Sequence, residues 1–367
     1  MIEFSQVPEF DFLDTEYRQL FARSDATGFQ HPLWLDRVYA RLVREKGAEP
    51  AILTGRAERD GRLVFVLPLV RRYYGPAAVI ECPDMGVSDY NVPVIEPGLA
   101  GAISSDRTLR RKLSRALRPF LVSRLQKIRA DSVHQLSVLG GGHCAYMGFH
   151  AHEVGLARSF AEWRARSLTQ SFRRFLDRKR RALLKKTELK FEEVTDTRAI
   201  EEAFALLKAF RAQRWKRDLL RDDTYLRFYA EIAASGQPIG LTRTYLFRCG
   251  DRPSGVIFGL AHRQRFLVLG LGFDFKGFRN YSLGLLMLES VIEDLIARGD
   301  EVCDLTIGDE AYKTDFGTTE VPMLTLWVGP EPLSSVAKLA FDCVIKLRGR
   351  KALSRAGGSA DHQYALR

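Results

Sequence analysis

Sulfur is sparse in this chain and poorly arranged for metal or redox work. The five cysteines, Cys82, Cys144, Cys249, Cys303 and Cys343, are scattered and form no CxxC pair. Most sit in apolar stretches, as reduced core cysteines do. The richest histidine stretch, GGHCAYMGFHAHE, offers His143, Cys144, His150 and His152, but their spacing fits no common closed zinc site. A strand pair with ordinary core and surface histidines is expected there, and no metal. The glycines Gly140 to Gly142 are not followed by Lys-Ser or Lys-Thr, which excludes a P-loop, and no G-x-S-x-G elbow marks a serine hydrolase. No apolar run approaches the roughly 18 residues that span a membrane. The opening MIEFSQVPEFDF has neither a basic nor an apolar signal region, so the expected compartment is the cytoplasm.

What is present is a globular composition with a cationic surplus. The 367 residues suffice for two ordinary domains, and 46% hydrophobic with 28% charged residues excludes a disordered chain. A net charge of +11 points to an anionic partner, with simple surface solubility as the plainer reading.

One order of elements occurs twice. In the first half, residues 31–46 have helical spacing at Leu35, Val38 and Leu42, closed by Gly47. A hairpin follows, AILTGRA and RLVFVLPLV around the turn ERDG. Past CPDMGVSDYNVPVI come a basic helix over about 107–129 and the strand HQLSVLG. In the second half, a helical pattern over 197–234 breaks near 218–223. The strands LTRTYLFRC, SGVIFGLAH and RFLVLGLG follow, then a helix over 283–298 closed by Gly299 and the strand EVCDLTI. This order predicts an α+β fold of two tandem domains, residues 1–155 and 156–330, with a basic C-terminal helix and tail over 331–367.

Between the halves, Lys and Arg crowd the segment from Arg173 to Lys190, with Phe172, Phe175, Leu176, Leu183 and Leu184 among them. An amphipathic helix is expected, whose basic face either stays solvated or meets tRNA, a membrane surface or an acidic polymer.

Residues 266–317 concentrate the chemistry: a strand, a turn, a helix, then a second strand emptying into an ionisable loop. Free N–H groups and the helix dipole make such a helix start an anion site. In RNYSLG, Ser282 is expected as the N-cap and Gly284 lets a ligand approach the first turn. Leu285, Leu288, Ile292 and Leu295 mark the buried stripe, with Glu289, Glu293 and Asp294 outward. Acyl transfer would need oxyanion stabilisation and two proton movements. N–H groups near 269–273 serve the first, Asp309 or Glu310 accepts a proton, and Tyr312 donates one to the leaving group. Lys313 holds an acceptor phosphate or offsets developing charge.

Three antiparallel strands, a helix opened by R-x-x-S-x-G, and a strand followed by G-D-E-x-Y-K resemble a GNAT acyltransferase core. The version here looks like the CelD-type (cellulose and capsule biosynthesis) acetyltransferases, relatives of the FemABX aminoacyl transferases with their two tandem GNAT-like domains. WLDRVY, SDYN at 88–91 and FRAQRW at 210–215 also look like this group. The resemblance implies mixed, mainly antiparallel sheets flanked by helices. It also implies acyl-CoA, acetyl-CoA foremost, at Phe273, Arg279, Asn280, Ser282, Leu283 and Gly284, and an acceptor near Asp89, Tyr90, Asn91 and Trp215. The second domain would bind the donor and the first would shape the acceptor side. Ser282 stands where the GNAT motif has its first glycine, which keeps an aminoacyl-tRNA donor open. The expected function is acyl transfer from acyl-CoA to an amine or hydroxyl of a sugar, amino acid or lipid acceptor in polysaccharide or envelope biosynthesis. The alternatives are an aminoacyl-tRNA-dependent transferase and a non-catalytic degenerate GNAT pair.

Overall fold

A computed structural model describes residues 2–329 except 76, 118–121, 140 and 141, together with Ser335 and Leu339. Gly140, Gly141, Cys343 and nearly all of the expected basic tail lie outside the described residues. The chain divides into two compact units. One holds residues up to Gly148 and the strand from Pro322, and the other is Phe149–Val321. The sequence placed this junction at 155/156, at the end of the strand Gly142–Gly155 rather than within it.

The first unit has a four-stranded sheet ordered Ile2–Val7, Ile52–Ala57, Leu63–Leu67, Val94–Ile95. Its other strands run Ala48–Pro50, Val70–Tyr74, Ala77–Glu81, Val122–Arg129 and then Met323–Val328, each paired with the next. The expected hairpin is there. Two expectations fail. The basic helix stops at Leu117, and Val122–Arg129 is a strand. Ladder bonds to Ala77–Glu81 on one side and Met323–Val328 on the other override its helical letters. HQLSVLG is not a strand but a short helix, Val133–Leu136, with a 3-10 turn Ser137–Leu139. It buries Leu136, Val138 and Leu139 against Ile103 and Leu113, and an apolar run this short has no readable period.

The second unit carries the strands Leu189–Glu193, Thr242–Cys249, Arg252–His262 and Arg265–Phe273 as successive antiparallel neighbours. Arg263 and Gln264, both at positive φ, make the tight turn that a two-residue hairpin demands. Val302–Ile307 joins the far edge, parallel to Arg265–Phe273 and antiparallel to the end of Gly142–Gly155. The helices Thr197–Ala212 and Asp223–Gly236 flank the 218–223 break, as expected.

The helix Leu283–Arg298 buries Leu283, Leu286, Met287, Leu288, Val291, Ile292 and Leu295 in a core shared by the sheet and two neighbouring helices. Each is worth about 1.5–3 kcal/mol on burial. Leu285, expected in that stripe, is only half buried. Glu289, expected outward, is 1% exposed. The helices Phe160–Ser167 and Gln170–Leu184 cover that face and supply Arg164 at 3.1 Å and Arg180 at 2.8 Å from its carboxylate. A burial pattern read from one helix cannot register two neighbouring helices that bring their own cations.

Candidate active site

Strands Arg265–Phe273 and Val302–Ile307 pair only at Arg265↔Val302, Phe266↔Cys303 and Leu267↔Asp304. Beyond that they part, because each carries an irregularity just past the last pair. On the first, the register against Arg252–His262 slips at Leu269, between the pairs of Val268 and Gly270. On the second, the register against Gly142–Gly155 shifts between Asp304 and Ile307, and Thr306 sits at φ 57. A β-branched residue with positive φ is held there by its surroundings. The Thr306 N–H donates to the buried Asp304 carboxylate at 2.8 Å. The result is an open strand edge over 268–273, where the oxyanion donors were expected.

Lys313 lies on the short helix Ala311–Asp315 that follows. Expected to face an acceptor, it is 3% exposed instead. Its ammonium donates to the carbonyls of Ile307 at 3.0 Å and Thr306 at 3.3 Å, and lies 3.0 Å from the Glu310 carboxylate. It ties down the strand end. Gly308, at φ 113, leads into this loop, and a Cβ there would meet the Glu310 carboxylate at 2.8 Å.

Asp309 collects two histidines that the sequence left as ordinary. One oxygen accepts from His152 Nε2 at 2.9 Å, from the His150 N–H at 3.1 Å, and faces His150 Nδ1 at 3.2 Å. On its other side the buried His152 ring meets the Thr318 hydroxyl at 3.0 Å. Burial pushes the Asp309 carboxyl up, but these hydrogen bonds outweigh it and hold the pKa below the ordinary value. The spacing H-x-H, which places both rings on one face of a strand, was the available signal.

Tyr312 points its ring into the core cluster, and burial first, then the nearby Glu310 charge, raises its pKa against the opposing pull of Arg211 and Arg214. Arg211, the first arginine of FRAQRW, also reaches this edge. It is 3% exposed, donates through Nε to Asp218 at 2.8 Å, and donates through Nη1 to the Leu271 carbonyl at 2.8 Å. Trp215 lies under both guanidiniums, 4.5 Å from Arg211 and 5.0 Å from Arg214.

At the helix start, Arg279, Asn280 and Tyr281 form a 3-10 turn, and Ser282 is the N-cap with φ 51 but makes no side-chain cap bond. That left-handed backbone is one glycine adopts at no steric cost and serine adopts with strain. Gly284 has a reason of its own: a Cβ there would lie 2.7 Å from the Phe273 ring. Helix and strand approach closely at Gly284, so the glycine serves packing before any ligand.

In the first unit, Asp89 lies 3.5 Å from Lys127, while Tyr90 and Asn91 are 1% and 6% exposed. Tyr90 stacks under Arg129, and the Asn91 amide donates to the Gln126 carbonyl at 2.9 Å. Among the described residues no group of three or more His, Cys, Asp or Glu could hold a metal, and no helix is long and apolar enough to cross a membrane.

Residues 170–314 match the family described as Acetyltransferase (GNAT) domain. No curated protein matches the chain. Among solved structures, FemX is similar at TM-score 0.60 and 12% identity, covering 90% of this chain and 99% of FemX. A conserved protein of unknown function from Bacteroides thetaiotaomicron VPI-5482 is similar at TM-score 0.55 and 12% identity, covering 89% and 100%. L-PGS from Bacillus licheniformis is similar at TM-score 0.54 and 9% identity, covering 94% and 98%. The fold is α+β with mixed sheets flanked by helices, and through residues 170–314 it is a GNAT fold. By that domain the chain is an acyltransferase.

Proposed function

We propose that this acyltransferase moves an acyl group from acyl-CoA to an amine or hydroxyl of a small-molecule, glycan or lipid acceptor. The observation that carries the reading is the parting of the two strands after Leu267↔Asp304. It leaves backbone N–H groups between Leu269 and Phe273 for the oxyanion of the tetrahedral intermediate. Phe273, at the end of that edge, abuts Gly284 in the first turn of the helix, whose uncapped N–H groups suit the donor's pyrophosphate. Asp309 or Glu310 accepts the nucleophile's proton, and Tyr312, kept neutral by its surroundings, donates to the departing thiolate.

A second reading, an aminoacyl-tRNA donor, has its own support. The helix Gln170–Leu184 exposes Arg174, Arg178 and Arg181, for which no carboxylate partner occurs among the described residues. Lys179 on the same helix donates to the Asn280 carbonyl at 2.6 Å, so this basic face adjoins the turn 279–281.

Calorimetric titration of acetyl-CoA separates the two. Arg279 is exposed, so Arg279→Glu should leave the fold intact and weaken acetyl-CoA about tenfold, roughly 1.4 kcal/mol. A protein indifferent to acyl-CoA that binds aminoacyl-tRNA with a steep salt dependence would favour the second reading. Binding neither would leave no donor for either.

A further inference from the structure

Resting on the acyl-transfer reading of the same site, we propose that the acceptor carries an oxyanion, a carboxylate or a phosphate, and that Arg211 is the residue that reads it. Arg211 is a guanidinium with two nitrogens pinned and one empty. Nε is held by Asp218 and Nη1 by the Leu271 carbonyl, each at 2.8 Å. Nη2 is buried and has no hydrogen-bond partner among the described residues. Buried donors are nearly always satisfied, and an empty one costs about 1–3 kcal/mol. The ordinary remedy, a two-pronged bond to Asp218, is not made: the other Asp218 oxygen is taken by the Leu220 N–H at 3.0 Å.

The surroundings suit an anion. Trp215 stacks on the guanidinium and fixes its plane but offers no acceptor atom. Asp218 offsets Arg211 and Glu310 offsets Lys313, while Arg214, stacked on the same Trp215 ring, adds a positive charge with no carboxylate partner among the described residues. The place is also chemically apt. Because Arg211 grips the Leu271 carbonyl within the open stretch 268–273, an anion on its empty nitrogen would put an acceptor's nucleophile a few bonds from the acyl carbon. A rigid, half-used guanidinium binds a carboxylate or phosphate at little ordering cost.

Matched acceptors test this, with acetyl-CoA binding measured first so that failure of the donor reading is seen separately. An amino acid is compared with its amide, and an amino-sugar phosphate with the free amino sugar, by kcat/KM. The anionic member of at least one pair should win by about tenfold or more, the worth of one charge-assisted hydrogen bond. Arg211→Lys keeps a cation for Asp218 but lacks the outer nitrogen, so the preference should fall to about threefold or less. In parallel, acetate or inorganic phosphate should raise the Tm of the wild-type protein and not that of Arg211→Lys. A response only to carboxylate, or only to phosphate, identifies the class. If acetyl-CoA binds but neither pair shows a preference, the proposal is overturned. Without acetyl-CoA binding, the Tm response decides it alone, and no response to either anion overturns it. If Arg211→Lys does not fold, the wild-type ratios decide.

Discussion

Replacing Lys313 with Met distinguishes a cation that acts on the reaction from one that holds the strand end. Met keeps the length of the side chain and removes the ammonium. The Thr306 and Ile307 carbonyls would lose their donor at a position only 3% exposed. A buried acceptor left unsatisfied costs about 1–3 kcal/mol, and Met's apolar stem still fills the space, so the two carbonyls together set roughly 2–4 kcal/mol. Glu310 is 38% exposed and turns to water, adding little once solvent screening is counted. For a unit of this size each kcal/mol moves the Tm by about 2–4 °C, so calorimetry should show the second unit's transition lowered by roughly 4–16 °C. Glu310→Gln, which leaves both carbonyl bonds in place, should cost under about 1 kcal/mol. Activity should fall as the displaced strand end disturbs the open edge. A Lys313→Met protein that melts within about 2 °C of wild type yet turns over a hundredfold more slowly would refute the strut and restore an electrostatic role.

Two further outcomes are expected. Ser282 occupies a left-handed backbone at φ 51 with no cap bond to compensate, so Ser282→Gly should stabilise the protein by about 0.5–1 kcal/mol. A lower Tm for that variant would mean that the hydroxyl has a partner in solution. The depressed pKa of Asp309 gives stability that is present at neutral pH and lost as pH falls through the folded value. The Tm gap between wild type and Asp309→Asn should therefore close below about pH 4, and a gap constant down to pH 3 would show that the histidine bonds are not sensed.

Several features were legible in the letters because they follow from local periodicity and turn chemistry. The strands near 242–249, 254–262 and 265–272, the helix 283–298 with its glycine stop, and the break at 218–223 all appear where apolar spacing placed them. RNYSLG marked the helix start, and GDEAYK marked the loop after Val302–Ile307. Even the departure at Ser282 was visible, although its meaning was not, because a φ value is not written in a residue name.

The remaining features arise from contacts between distant segments. Val122–Arg129 is a strand because two partners supply its ladder, and Glu289 is buried because two other helices bring arginines to it. Gly284 faces Phe273, and Lys313 turns inward to carbonyls six and seven residues before it. His150 and His152 meet Asp309 across more than 150 residues of chain, and Arg211 reaches Leu271 across 60. Periodicity tells a residue which face of its own element it shares. Only the packed sheet and helices decide what waits on that face, and here they turned Lys313 into a strut and brought Arg211 to the open strand edge.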